Sequence, residues 1–203
     1  MASDPFFSAV LGRRTVYALS DSSPIPDSRI QEIVVKAIKH SPSTFNVQSA
    51  RAVILLKDEH RKFWDYALEF IKAALPEEVV KQLGARIAGF RAAYGSVLFF
   101  EAKADLDALA QEHAIVAPFI TEWSDTSSGI NQFAVWAALS AEGLGANLQH
   151  YNFLPPLVEK VKAEWNIPQD WLLKSQLVFG TPTGGPREKT FKPVEDRVKV
   201  YGQ

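Results

Sequence analysis

The chain has 203 residues, of which 47% are hydrophobic and 22% are charged, values that are ordinary for one compact domain. It contains no cysteine, which excludes disulfides, thiolate nucleophiles and cysteine-ligated zinc and suits a reducing compartment. The net charge of −1 gives no reason to expect nucleic acid as a partner. We find no apolar run long enough to span a bilayer and no secretory signal, so we expect no membrane insertion and a location in the cytoplasm, or in the nucleus of a eukaryote.

The predicted elements, in chain order, are helix 3–12, helix 28–40, strand 52–56, helix 59–74, helix 77–91, strand 97–100, one or two short helices within 105–120, helix 129–142, strand 146–149, helix 155–164, strand 173–179 and a terminal strand at 198–201. The helices carry apolar residues at three- and four-residue spacing, as Ile30, Ile33 and Val34 do. Residues 52–56 are continuously apolar, which is typical of a buried strand.

Helices that alternate with well-separated apolar strands predict an α/β or α+β fold with helices on the faces of the sheet. Since no linker interrupts the pattern, we predict one domain over residues 1–203. Helix 129–142 is apolar nearly all round and is the best candidate for a buried central helix. The strand at 198–201 has no obvious local partner, which suggests that it pairs with a neighbouring subunit.

The usual side-chain signatures of catalysis are absent from the sequence. The glycines fit neither a dinucleotide fingerprint nor a phosphate loop, and no serine lies in a G-x-S-x-G elbow. The four histidines show no metal-ligand spacing with one another, so we expect no metal site. If the chain is an enzyme, a bound cofactor should carry the chemistry.

Basic residues near both ends of the chain could serve one anion. Arg13, Arg14 and Thr15 offer two guanidiniums and a hydroxyl that suit a phosphate. The alternative is a pair of surface arginines at a helix end. Arg187, Lys189 and Lys192 could join the same anion if the fold brings the ends together, or could be solvated surface charge.

Two further polar segments could contact a cofactor. Residues 41–48 form a loop rich in hydroxyls and amides, which could read a polar ring edge or could be a connector whose side chains bond its own backbone. In residues 143–152 a strand edge meets amide and aromatic side chains that could lie against a flat heterocycle. His150 in this segment could be a general acid, although a lone histidine is more often a structural hydrogen-bonding group.

Together these segments resemble the nitroreductase family, most closely its short fungal and bacterial branch, over essentially the whole chain. The resemblance rests on R-R-T at 13–15, S-P-S-T-F-N-V-Q-S at 41–49, Y-G-S-V-L-F-F-E at 94–101, G-L-G-A-N-L-Q-H-Y-N at 143–152 and F-K-P-V-E-D-R-V-K-V-Y at 191–201. It implies a mixed α/β sheet in an intertwined homodimer, with the C-terminal segments exchanged and FMN bound between the subunits. The exchange agrees with the unpaired terminal strand.

The resemblance also implies which residues bind the cofactor. Those at the phosphate, the ribityl chain and their surroundings are Arg13, Arg14, Thr15, Tyr17 and Lys189. The loop from the other subunit supplies Pro42, Ser43, Thr44, Asn46 and Gln48. Leu148, Gln149, His150 and Tyr151 lie against the isoalloxazine, with a main-chain N–H at about His150 pointing to flavin N5. Many relatives carry a basic residue where this chain has Phe191, so Lys192 or Arg187 could complete the phosphate site.

The activity implied is hydride transfer from NADH or NADPH through FMN to nitroaromatic or quinone-type acceptors, with ping-pong kinetics. Phe119 and Trp123 could wall the acceptor pocket, and core packing is the alternative for both. A second function remains open, namely a non-catalytic flavin-binding redox sensor or regulator of stress or lipid metabolism. A third is a flavin-free α/β interaction module. The sequence indicates neither the physiological acceptor nor a preference for NADH or NADPH.

Overall fold

The structure, a computed structural model, describes residues 1–202. The α-helices and β-strands of this range are, in chain order, α1 Asp4–Gly12, β1 Leu19–Ser20, α2 Asp27–His40, β2 Ala50–Leu56, α3 Lys57–Ala74, α4 Glu77–Arg91, β3 Gly95–Ala102, α5 Lys103–Glu112, α6 Ile120–Ala141, β4 Gly145–Gln149, α7 Pro155–Glu164 and β5 Trp171–Pro182. Short 3₁₀ turns occur at Thr44–Asn46, Ala117–Phe119 and Tyr151–Phe153. The predicted helices and internal strands are confirmed, and their bounds shift by only a few residues except in α6.

Helix α6 begins at Ile120, nine residues before the predicted start at Gly129. The first turns contain threonine, serine and glycine, which have weak helix propensity and conceal the helix in the sequence. In the structure the hydroxyl of Ser127 donates to the main-chain oxygen of Trp123 at 3.0 Å, and Ile120 and Ser124 are buried. Packing therefore outweighs propensity here. Within residues 1–202, neither α6 nor any other helix has the length and apolar character needed to cross a bilayer.

The five strands form one sheet in which every strand pair is antiparallel. β5 pairs with β3, which in turn pairs with β2, and both β4 and the two-residue strand β1 also pair with β5. Among residues 1–202 the one parallel pairing is an isolated bridge between Thr15 and Ala146. Strand β1 was not predicted because two residues are too few to show a pattern.

Helices cover both faces of the sheet, which explains why residues 97–100 of the fully buried strand β3 are continuously apolar in sequence. Leu98 and Phe100 of β3 pack with helices α3, α4 and α7 on one face. Val97 and Phe99 pack with α2 and α6 on the other face. Burial of each such side chain contributes about 1.5–3 kcal/mol, so these two layers supply much of the stability.

Residues 183–202 leave the sheet as an extended tail that contains no helix or strand. The terminal strand predicted at 198–201 does not form within the single chain. Val198, Val200 and Tyr201 are exposed. At the far side of the sheet β2 pairs only with β3, so one edge of β2 carries no strand of the described chain. Pairing of the tail with a second chain stays a prediction.

A buried histidine joins α3 to the sheet and to the end of α4. The ring of His60 places Nδ1 2.9 Å from Ser96 Oγ and Nε2 2.9 Å from the main-chain oxygen of Phe90. Since a carbonyl oxygen only accepts, Nε2 carries the proton and Nδ1 accepts from the hydroxyl of Ser96. Ser96 Oγ in turn accepts from Trp64 Nε1 at 3.2 Å. Burial lowers the pKa of His60 from 6.5 to about 4.

We predict that acid weakens the fold through His60. Between pH 6.5 and about 4 the folded state binds fewer protons than the unfolded state, because the histidine pKa is lower when folded. The free energy of unfolding should therefore fall as the pH drops through this window, by roughly 3 kcal/mol at most from this group. Urea unfolding at stepped pH measures the fall. The variant His60→Gln lacks the titrating ring and should show a shallower decline; equal slopes in the two proteins would contradict the prediction.

Candidate functional site

Two of the polar segments identified in the sequence lie side by side. The main-chain N–H of Val16 donates to the oxygen of Ala146 at 2.9 Å, next to the parallel bridge of Thr15 with Ala146. The side-chain amide of Asn147 donates to the oxygen of Val16, also at 2.9 Å. Residues 13–17 are thus held along β4, although these segments are far apart in sequence.

Gly145 is required for this close approach. A Cβ at this position would lie 2.7 Å from Leu19 Cδ2 and 3.2 Å from Val16 Cβ. A side chain here would force the Leu19 side chain and Val16 to shift. The glycine therefore positions the arginines that precede Val16 in the chain.

Basic residues from both ends of the chain line one cleft of about 350 Å³. Its walls are Arg13, Arg14, Thr15, Tyr17, Arg187, Glu188 and Lys189. Arg14 Nη2 donates to the main-chain oxygen of Arg187 at 2.6 Å, which ties the tail to the N-terminal segment. The guanidinium carbon of Arg187 lies 5.3 Å from the centroid of the Tyr17 ring. The structure thus brings Arg187 and Lys189 to the first two arginines, whereas Lys192 does not line this basic cleft.

A second cleft of about 250 Å³ adjoins the basic cleft and shares Tyr17 and Arg187 with it. The other lining residues are Ala85, Arg86, Gly89 and Phe90 of α4 and Gln149 of β4. The contribution of α4 was missed in the sequence, where this helix looks like an ordinary surface helix. Gly89 was the available signal, since glycine weakens a helix interior and a methyl group here would meet no atom within 4 Å.

The end of β4 presents polar groups on one side and core residues on the other. Gln149 Nε2 donates to Asn147 Oδ1 at 2.8 Å, and His150 is exposed. Leu148 packs against the core between the sheet and α6. Tyr151 is only 5% exposed, and burial raises its pKa to about 12. Tyr151 could therefore reach a ligand only through its main-chain atoms.

The loop 41–48 lies apart from the basic cleft in the single chain. The structure places Pro42, Ser43, Thr44, Asn46 and Gln48 between α2 and β2. Gln48 donates its main-chain N–H to Ser43 Oγ at 3.0 Å, so the loop partly bonds its own backbone. Phe45, Asn46 and Gln48 have φ values of 50°, 56° and 51°, a region that costs non-glycine residues energy and occurs often at functional sites.

A buried carboxylate anchors the end of this loop. Glu101 of β3 is 1% exposed and accepts a hydrogen bond from the hydroxyl of Ser49. The main-chain N–H of Ala102 donates to the oxygen of Ser49 at 2.8 Å. Burial raises the pKa of Glu101. These contacts hold the residue that follows the strained loop and give the glutamate at the end of β3 a structural role.

An aromatic cluster surrounds the loop. The ring of Phe45 stacks on His113 at 4.3 Å between centroids and lies 6.3 Å from Trp123. Phe119 stacks on Trp123 at 6.0 Å. Phe119 is 51% exposed, so its ring lies at the surface. The two predicted acceptor-pocket residues are therefore neighbours of loop 41–48.

The aromatic cluster and the basic cleft are at opposite ends of α6. Trp123 belongs to the aromatic cluster, and Trp136 lies against Arg13 at the basic cleft. A helix rises 1.5 Å per residue, so these two positions are about 20 Å apart along the axis. One chain therefore does not bring all the predicted site residues together.

Comparison with known proteins identifies the family. The family model described as the Nitroreductase family matches residues 10–181. The chain belongs to the nitroreductase family. Nitroreductase FRM2 of Saccharomyces cerevisiae is 35% identical over 203 residues, covering 97% of this chain and 96% of the yeast protein. The predicted family is confirmed, and the match supports an oxidoreductase function.

Solved structures confirm the nitroreductase fold. Nitroreductase CinD from Lactococcus lactis, in complex with 4-nitrophenol, is 40% identical and superposes with a TM-score of 0.86, covering 97% of this chain and 100% of CinD. A protein from Desulfovibrio desulfuricans, in complex with FMN, is 16% identical with a TM-score of 0.70, covering 98% of each chain. The second likeness shows the fold alone.

We predict that Gly145→Ala destabilises the protein because its Cβ would overlap Leu19 and Val16. Overpacking of this kind typically costs about 1–3 kcal/mol. Gly84→Ala is the matched control, since its Cβ would meet only Leu68 Cδ1 at an ordinary 3.6 Å and alanine favours a helix. Urea unfolding should show a less stable Gly145→Ala and an unchanged or more stable Gly84→Ala. A Gly145→Ala variant as stable as the wild type would refute the packing argument.

Proposed function

We propose that this protein is an FMN-dependent oxidoreductase that passes hydride from NADH or NADPH, by way of the flavin, to nitroaromatic or quinone-type acceptors. The observation that supports it most is the basic cleft beside β4. Arg13, Arg14, Arg187 and Lys189 oppose one carboxylate, Glu188, in its lining. Such an excess of cations suits a phosphate dianion, which accepts charge-assisted hydrogen bonds from arginine and lysine.

The hydrogen-bond donors of the basic cleft fit the phosphate of FMN. Arg13 Nε is buried and has no hydrogen-bond partner in residues 1–202, and Thr15 adds a hydroxyl beside it. A buried donor without a partner is costly, and a bound anion nearby would favour this charged group. Because the two clefts adjoin, FMN with its phosphate in the basic cleft could place its ring in the second cleft. These features argue against a flavin-free interaction module.

The second cleft suits the flat ring of the cofactor. It combines the aromatic rings of Tyr17 and Phe90 with the amide of Gln149 and the guanidinium of Arg86. Aromatic and amide groups can stack on a heterocycle and bond its polar edge. We propose the main-chain N–H of His150 as the contact to flavin N5, because His150 directly follows Gln149 at the exposed end of β4.

In this proposal the protein binds, orients and shields the reactants. FMN, when bound, supplies the hydride and electron chemistry, taking hydride from NADH or NADPH and passing electrons to the acceptor. The basic cleft holds the phosphate, and Tyr17 and Gln149 orient the ring. No side chain needs to act as a nucleophile. Donor and acceptor would use the same place in turn, which is the origin of the ping-pong kinetics.

We propose a homodimer in which the second subunit completes the site. A twofold axis that pairs the two α6 helices antiparallel would set the Trp123 end of one against the Trp136 end of the other. Loop 41–48 and the aromatic cluster of one chain would then approach the basic cleft of its partner. Ile130, in the middle of α6, is 40% exposed, as expected for a residue at a subunit contact.

The tail would seal this homodimer by adding a strand to the partner's sheet. The unpaired edge of β2 borders a groove of about 780 Å³, whose apolar lining includes Val34, Ile38 and Ile54. Val198 and Val200 alternate with charged residues in the exposed tail. An extended segment that adds to a sheet edge gains main-chain hydrogen bonds and fills side-chain pockets with alternate residues.

The second candidate is a flavin-binding redox sensor or regulator, which would use the same clefts without turnover. The 4-nitrophenol bound to CinD favours the enzyme, because it is a nitroaromatic of the kind we propose as acceptor. A cytoplasmic location and a role in the stress response stay predictions.

Turnover separates the two candidates. With FMN-loaded protein, NADPH or NADH, and 4-nitrophenol or a quinone as acceptor, we expect steady oxidation of the nicotinamide. Double-reciprocal plots at several acceptor concentrations should give parallel lines, because donor and acceptor bind in turn. FMN-loaded protein that is reduced once but never reoxidised by either acceptor class would favour the sensor. Intersecting lines would contradict the shared place for donor and acceptor.

The tail prediction is tested by charge placed on alternate residues. The double variant Val198→Asp/Val200→Asp should shift the protein from dimer toward monomer, because two carboxylates cannot enter the apolar groove without a large desolvation penalty. The matched variant Arg197→Ala/Lys199→Ala changes the intervening residues and should stay dimeric. Sedimentation at several concentrations measures both. If the two double variants dimerise equally, the alternation of valines and charged residues in the tail has no role in dimerisation.

A further inference from the structure

Arg13 is held by aromatic rings instead of a carboxylate. Its guanidinium carbon lies 4.5 Å from the ring centroid of Trp136 and 5.9 Å from that of Phe133, both on α6. Its Nε is buried and, among the described residues, unpaired. The charge of Arg13 therefore rests against the indole face at the wall of the basic cleft.

Of the other arginines at the basic cleft, Arg187 also lies over a ring, that of Tyr17, 5.3 Å from its centroid. Arg14 donates to the main-chain oxygen of Arg187. Elsewhere in the described chain, Arg29, Arg51 and Arg91 each pair with a carboxylate. Residues 1–202 provide no such ion pair for Arg13.

An aromatic partner has a consequence that a carboxylate would not have. A carboxylate beside Arg13 would cancel its charge, and an anion in the cleft would then be attracted less. A ring face attracts the cation through its quadrupole and limits its rotation, while the net positive charge remains. Tryptophan gives the strongest such contact among the aromatic side chains.

We propose that Trp136 is a positioning residue for the phosphate of FMN: its indole face holds the Arg13 guanidinium at the cleft and so sets a preference for FMN over riboflavin. This inference rests on the proposed function. Trp136 acts through Arg13 and needs no contact with the cofactor.

The test compares two ligands that differ only in the phosphate. Dissociation constants for FMN and riboflavin are measured by flavin fluorescence on the full-length chain freed of flavin. Trp136→Leu should weaken FMN binding roughly tenfold, from the size of a desolvated cation–π contact. Riboflavin binding should change less than about twofold, since no phosphate is involved. Trp136→Phe keeps an aromatic face and should fall between Trp136→Leu and wild type, which also provides a variant if the leucine protein does not fold.

The outcomes separate the inference from the proposed function. Equal losses for FMN and riboflavin, or no loss for either, would overturn the role of Trp136. In an Arg13→Ala background, Trp136→Leu should cause no further loss of FMN affinity, because the two residues act as one unit; an additive loss would also overturn the inference. If the wild type takes up no FMN, or if Arg13→Ala leaves FMN affinity unchanged, the proposed phosphate site itself fails.

Discussion

The main-chain pairing of residues 13–17 with β4 is the contact on which the rest of the site depends. It places Arg13 and Arg14 beside the tail, and the hydrogen bond from Arg14 to Arg187 brings the other end of the chain to the same cleft. Like charges this close repel one another unless an anion lies between them. Because backbone contacts and the close approach at Gly145 hold residues 13–17 in place, the positively charged side chains stay together at the cleft before a ligand binds.

The sequence could predict the core because the central strand β3 is buried on both faces. Residues 52–56 and 97–100 are apolar throughout, and the structure places them between two helical layers. The first turns of α6 could not be predicted, since Ser127 and Gly129 have weak propensity and packing holds the helix. The left-handed backbone at Phe45 and Gln48 could not be predicted either, because no local pattern indicates it.

The residues of the candidate site could likewise be predicted where the sequence shows a local pattern, and could not where only the fold brings them together. Arg13, Arg14 and Lys189 could be named from the sequence as candidates for an anion site, with solvated surface charge as the alternative, and all three line the basic cleft. Arg86 and Phe90 could not be identified, because their helix has the composition of a surface helix and only the fold brings it to β4. Within the single chain, loop 41–48 lies far from the basic cleft. Only a second subunit would bring such a loop to the cleft.

We propose that the basic cleft holds the phosphate of a flavin that turns over. The visible absorption spectrum of the purified full-length protein, recorded before and after anaerobic addition of NADH or NADPH, tests it most directly. We expect an oxidised-flavin spectrum that bleaches with the reduced nicotinamide. A colourless protein that takes up no added FMN would contradict it.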